Sequence, residues 1–122
     1  MSLDDRLRAA RDEDALLWDA LLANGMTEGA DVAVDSFFVA DEERAARGLA
    51  DRLTSDGATV SVEQVTARTR LLLRVTRWSV QSTATVPDAT LAAVQAHTAR
   101  MIGAAADAGA GYDGWGAQIP GA

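Results

Sequence analysis

Apolar positions Leu7, Ala10, Leu17, Trp18, Leu21 and Leu22 recur at helical spacing near the start of the chain, and Asn24 and Gly25 are residue types that end a helix. The acids Asp12, Glu13 and Asp14 interrupt this pattern and predict that the helix restarts there after a break. Residues 31–40 then change to β-branched and aromatic side chains, which predicts a central strand. Asp41 is placed to cap a second helix, with Glu42 and Glu43 in the first turn, where anions offset unpaired amides and the helix dipole. Ala45, Ala46, Leu49 and Leu53 give that helix its buried stripe before Asp56 and Gly57.

Two further segments, 58–65 and 69–79, alternate as strands and predict a hairpin around Ala67 and Arg68. Val86, Pro87 and Asp88 open the last helix, with Asp88 as its cap. Leu91, Val94, Thr98, Met101, Ala105 and Ala108 repeat at spacings of three and four, and Gly109 ends the helix. The cluster Gly111, Tyr112, Asp113, Gly114, Trp115, Gly116 follows, and its glycines predict a sharp turn that brings two large rings to the core. A short fourth strand is expected around Trp115 to Ile119.

The order helix, strand, helix, strand, strand, helix, strand predicts an α+β fold of the ferredoxin-like, split βαβ type. Its antiparallel sheet carries two helices on one face, and the N-terminal helix is an addition. Strand parity places Val32, Val34, Phe38, Val60, Val62, Leu71, Leu73 and Val75 under the helices. The opposite parity puts Asp31, Asp35, Phe37, Val39, Ser61, Glu63, Arg68, Arg70, Leu72, Arg74 and Trp78 on the other face. Such a face suits either a solvated or helix-covered role or a partner surface, since arginine and tryptophan are enriched at binding hot spots.

Length bounds the rest: 122 residues suit one domain, 1–122. No apolar run approaches the roughly 20 residues of a membrane helix. The start Met-Ser-Leu-Asp-Asp-Arg lacks the pattern of a secretory leader, so a cytoplasmic location away from membranes is expected. The absence of cysteine excludes disulfides, thiol nucleophiles and thiolate metal sites. Charge adds a direction. Residues 1–56 hold fourteen acids and six arginines, a net of −8, whereas residues 57–122 hold four acids and five arginines, a net of +1. An acidic front half repels nucleic acid and attracts basic surfaces, so a protein partner fits and direct nucleic-acid binding does not.

Candidate chemistry is sparse. His97 lies off the apolar seam of the last helix and reads as a surface residue. No serine stands in a strand-to-helix elbow, and no nucleophile pairs with a base. The acidic triplets Asp12 to Asp14 and Asp41 to Glu43 are explained by helix starts rather than by a metal. The glycines near the end follow a helix instead of joining a strand to one, which argues against a phosphate loop. Neither catalytic residues nor metal ligands nor a cofactor is predicted.

The cluster Tyr112-Asp113-Gly114-Trp115-Gly116 resembles the closing signature of the regulator of ribonuclease activity B family. The helix ending in Asn24-Gly25 and the strand Val34 to Val39, followed at once by Asp41, Glu42 and Glu43, are similar to that family's first helix and strand. Ser36 stands where the family strand has an aromatic residue, and residues 79–86 are longer and more polar than its connection. The resemblance implies a non-catalytic inhibitor that binds ribonuclease E outside its catalytic region. The expected partner surface comprises Asp35, Phe37, Asp41, Glu42, Glu43, Arg70, Arg74, Trp78, Tyr112, Asp113 and Trp115. The alternative is a ferredoxin-like domain that forms a homodimer, or takes a small ligand, through its open sheet face.

Overall fold

A computed structural model of the chain describes residues 2–68 and 70–119. Its elements are α1 (Leu3–Ala23), β1 (Val32–Ala40), α2 (Glu43–Ser55), β2 (Thr59–Arg68), β3 (Arg74–Val86), α3 (Leu91–Ala108) and β4 (Gly111–Ala117). The sheet order is β2-β3-β1-β4, with every neighbouring pair antiparallel. β1 and β2 therefore run parallel with β3 between them, which is the split βαβ arrangement expected of a ferredoxin-like fold. All three helices pack on one face, and α1 lies beside α3 on the side of β4.

α1 runs through Asp12 to Asp14 without a break. Ser2 caps it: its hydroxyl accepts from the Asp5 amide at 3.1 Å, and the Asp5 carboxylate accepts from the Ser2 amide. Helical rotation leaves Asp12 and Glu13 in solvent and turns Asp14 inward, in line with buried Ala10, Trp18 and Leu21. The start of α2 also differs from expectation. Glu42 is the N-cap residue and makes no side-chain cap bond, while Asp41 reaches Arg77 on β3 at 3.6 Å.

The hairpin turn falls at residues 70–73 rather than at Ala67 and Arg68, because the β2–β3 pairing continues to the rung Arg68–Arg74. Trp78 pairs with Ala40, and Val80 with Phe38, so the even-numbered residues of β3 face the helices. The predicted parity of β3 is thus inverted. Val75 belongs to the open side, Leu71 and Leu73 are exposed at the hairpin end, and Trp78 packs against the core under Arg47, whose guanidinium carbon is 6.0 Å from the ring. Residues 79–86 are the second half of β3, not a connection.

α3 begins two residues later than expected. Thr90 is the cap, its hydroxyl accepting from the Ala93 amide, while Asp88 adopts a φ of 47° in the preceding turn and donates its amide to Asp31. Gly109 ends the helix in the left-handed conformation that only glycine adopts cheaply. β4 starts at Gly111, not near Trp115, so the terminal cluster is a strand and not a turn. Ser36 pairs with Trp115 and Phe38 with Tyr112, leaving Asp113 and Gly114 opposite Phe37 alone: a β-bulge, with Gly114 at a φ of 108°.

Two apolar clusters form the core. One joins Phe38, Val80, Leu49, Leu53 and Met101, and the other joins Trp18, Val32, Val34, Val86 and Val94. Both lie between sheet and helices. Among the described residues, no helix is long and apolar enough to cross a membrane.

Candidate functional site

A buried polar seam separates the two clusters. Ser36 and Ser82 face each other across β1 and β3, both almost fully buried, so a serine fits where an aromatic side chain would fill the core. Asp14 enters from α1, and its Oδ1 accepts the Trp115 indole N–H at 2.7 Å. Oδ2 of Asp14 and the Tyr112 hydroxyl are buried without a hydrogen-bond partner among the described residues. Burial raises the Asp14 pKa above the ordinary carboxylate value. Trp115 and Thr98 oppose the shift, and Glu13 adds to it. Tyr112 is likewise pushed upward by burial, and its ring meets Phe38 edge-on at 5.8 Å. The seam ties α1 to α3 and β4.

His97 belongs to this interior too. It is buried, not at the surface, with Nε2 unpartnered, and its pKa is lowered by burial first and by Arg100 second. A neutral imidazole with an unpartnered Nε2 lacks the hydroxyl and carboxylate partners of a catalytic triad. Among the described residues, no three His, Asp or Glu side chains converge to hold a metal ion.

Glu13, Asp41, Glu42, Glu43 and Asp113, all exposed, lie instead at one end of the sheet. β1 ends there at Ala40, β4 begins there at Gly111 opposite Val39, and α3 terminates between them. On one side of the α3–β4 junction, a depression of about 530 Å³ is lined by Asp41, Glu42, Arg44, Ala45, Gly48, Ala108 and Gly109. On the other, a groove of about 500 Å³ runs between α1, α3 and β4, with Glu13, Asp113 and Arg6 at its rim and Ala9, Ala10, Ile102 and Ala105 among its lining. The C-terminus of α3 points its partial negative charge into this end, and its last turn carries no basic residue. The N-terminus of α2 opens at the same end, and Asp41 and Glu43 pair with Arg77 and Arg47, so the preference for a cationic ligand rests on Glu42, Glu13 and Asp113 together with the α3 C-terminus. The apolar floor of the groove suits aliphatic side chains beside it.

The candidate residues from the sequence divide into three groups. Asp41, Glu42, Glu43 and Asp113 lie at the acidic end, with Tyr112 partly lining the groove. Asp35 and Phe37 lie on the open face, where Asp35 is half-buried and accepts a hydrogen bond from Thr83. Arg70 and Arg74 lie at the hairpin tip, which projects past the same end of β1, and Trp78 and Trp115 point to the helix side. The open-face set of Phe37, Arg74 and Trp78 therefore does not form one surface. Two features escaped the sequence reading: Glu13, which joins the groove only once α1 is laid beside β4, and Asp14, whose spacing from Ala10 and Trp18 was the available signal.

The family model described as Regulator of ribonuclease activity B matches residues 11–117. No curated protein matches the chain. Among solved structures, CutA from Synechococcus elongatus is similar at 17% identity, covering 76% of this chain and 81% of that one, with a TM-score of 0.45. With a match that spans α3, the whole sheet and most of α1, the chain belongs to the Regulator of ribonuclease activity B family.

Proposed function

We propose that this chain is a non-catalytic, protein-binding regulator that inhibits or redirects a ribonuclease E-type enzyme by holding a basic segment outside its catalytic site. Family membership supplies the class of target. The observation that carries the docking mode is the convergence of Asp41, Glu42, Glu13 and Asp113 around the α3 C-terminus, at an end with an apolar groove. Electrostatic complementarity of this kind sets the rate of encounter and selects the partner. An arginine-rich segment with aliphatic neighbours would place its guanidinium groups against the carboxylates and its apolar side chains on Ala9, Ile102 and Ala105.

The reading includes no metal, no cofactor, no direct contact with nucleic acid and action in the cytoplasm as a single domain. Binding of a purified arginine-rich ribonuclease segment, followed by fluorescence anisotropy, tests it. Affinity should fall steeply with salt. Charge reversal at Asp41, Glu42 and Asp113 should slow association while the melting temperature holds, because these side chains are exposed. Unchanged association in that variant would remove the acidic end from the mechanism.

A further inference from the structure

The β2–β3 hairpin extends past the sheet that supports it. β1 ends at the rung Ala40–Trp78, yet β2 and β3 continue pairing through four further rungs, to Arg68–Arg74. At about 3.4 Å per residue this is a two-stranded arm of roughly 14 Å. A free ribbon is weakly stable by itself. Its end is nevertheless apolar: Leu71, Leu72 and Leu73 are 79%, 72% and 59% exposed, and Leu72 holds a φ of 62°, a strained conformation for leucine. Three leucines held in solvent by a strained turn at the end of an arm mark a contact surface.

Charge identifies the occupant. Residues 64–86 contain Arg68, Arg70, Arg74 and Arg77 and no acid, and the rest of the chain has seven arginines against eighteen acids, a net of −11. Arg77 is held by Asp41. No ion pair among the described residues involves Arg68, Arg70 or Arg74. The arm is thus a leucine-tipped, arginine-flanked segment, and its chemical complement is the groove between α1 and β4, where Glu13 and Asp113 outweigh Arg6 at the rim of an alanine and isoleucine floor. The arm does not fill the groove of its own chain: no residue of the arm lines it, and β1 separates β3 from β4.

We infer that the arm of one copy docks in the α1–β4 groove of a second copy, a head-to-tail contact between copies of this chain. Self-association then uses the arm and not the open sheet face. The contact goes beyond the ribonuclease reading but shares its acidic end, so it is tested with this chain alone.

Analytical ultracentrifugation of the full chain should give a mass that is a multiple of 12.8 kDa and that falls as salt rises. An arm variant, Leu71→Asp with Leu72→Asp, and a groove variant, Glu13→Arg with Asp113→Arg, should each be monomeric with a native circular dichroism spectrum. All four positions are exposed, so the fold should survive. Mixing the two variants should restore a one-to-one heterodimer, because the intact arm of the second meets the intact groove of the first. A wild-type monomer at every concentration, an arm variant that still assembles, or variants that fail to pair on mixing would each overturn the proposal. So would a monomer whose arm instead binds anionic phospholipid vesicles. A monomer that still binds the ribonuclease segment would sink this contact and leave the regulator reading standing.

Discussion

Replacing Asp14 with asparagine should remove a pH-dependent part of the stability, and the direction follows from burial. Asp14 is 2% exposed, and desolvation holds its pKa above the ordinary 3.8. The unfolded carboxyl releases its proton near pH 4, and the folded one keeps it to higher pH. Stability from this group is therefore fully present below about pH 4 and is lost as pH rises through the folded value, at a limiting slope of about 1.4 kcal/mol per pH unit. Asparagine keeps an oxygen for the Trp115 indole at 2.7 Å and carries no charge. The stability difference should be small near pH 4 and should increasingly favour asparagine as pH rises toward 7. Trp115→Phe completes a double-mutant cycle: removing the indole donor should cost about 2 to 3 kcal/mol beside an ionised Asp14 and about 1 kcal/mol in the Asp14→Asn background. Urea unfolding followed by far-ultraviolet circular dichroism at several pH values measures all four chains. An equal loss on Asp14→Asn at low and neutral pH would refute the reasoning, since the ionised carboxylate would then be stabilising.

Burial of His97 works in the opposite direction. Its lowered pKa means that stability is present above about pH 6.5 and is lost as pH falls, so His97→Gln should flatten the acid limb of a Tm–pH profile, and an unchanged limb would exclude this histidine. Gly114→Ala should destabilise by about 1 to 2 kcal/mol through backbone strain alone, because its φ is 108° and an added Cβ meets nothing within 4 Å. A neutral result by calorimetry would mean that the bulge relaxes. Thr90→Ala removes the side-chain cap of α3 and should cost about 1 kcal/mol, while Asp88→Asn, which leaves that cap in place and suits the left-handed φ of 47°, should not. Chelator should leave the melting temperature unchanged; a fall of several degrees that one metal reverses would contradict the metal-free reading.

Element types were legible because their signals are local. The stripe Ala46, Leu49, Leu53 and the glycine at 109 specify a helix and a stop without reference to the rest of the fold. Strand phase was not local. Leu71 and Leu73 drew the apolar parity of β3 to the wrong face, since they lie in the turn, and Val80 and Val86 carry the true phase. The caps failed for a related reason: Asp88 is a good cap type, but the Asp31 carboxylate engages its amide in a turn two residues before α3 begins. Gly114 was read as a turn because its bulge exists only in register with Phe37. At the site, Asp41 to Glu43 could be found from charge alone, whereas the groove with Glu13 and Asp113 depends on how α1 lies against β4, about a hundred positions away in the chain.

The central claim is that the acidic end of the sheet captures a basic segment of a ribonuclease E-type enzyme. The most direct measurement is titration calorimetry of the wild-type chain, and of a chain with Asp41, Glu42 and Asp113 reversed to arginine, against the purified arginine-rich region of such an enzyme at two ionic strengths. Binding by the wild type should be saturable and should weaken as salt rises, and it should be lost in the reversed chain with its melting temperature intact. Wild-type binding that is insensitive to salt and to the reversal, or no binding at low ionic strength, would contradict the claim.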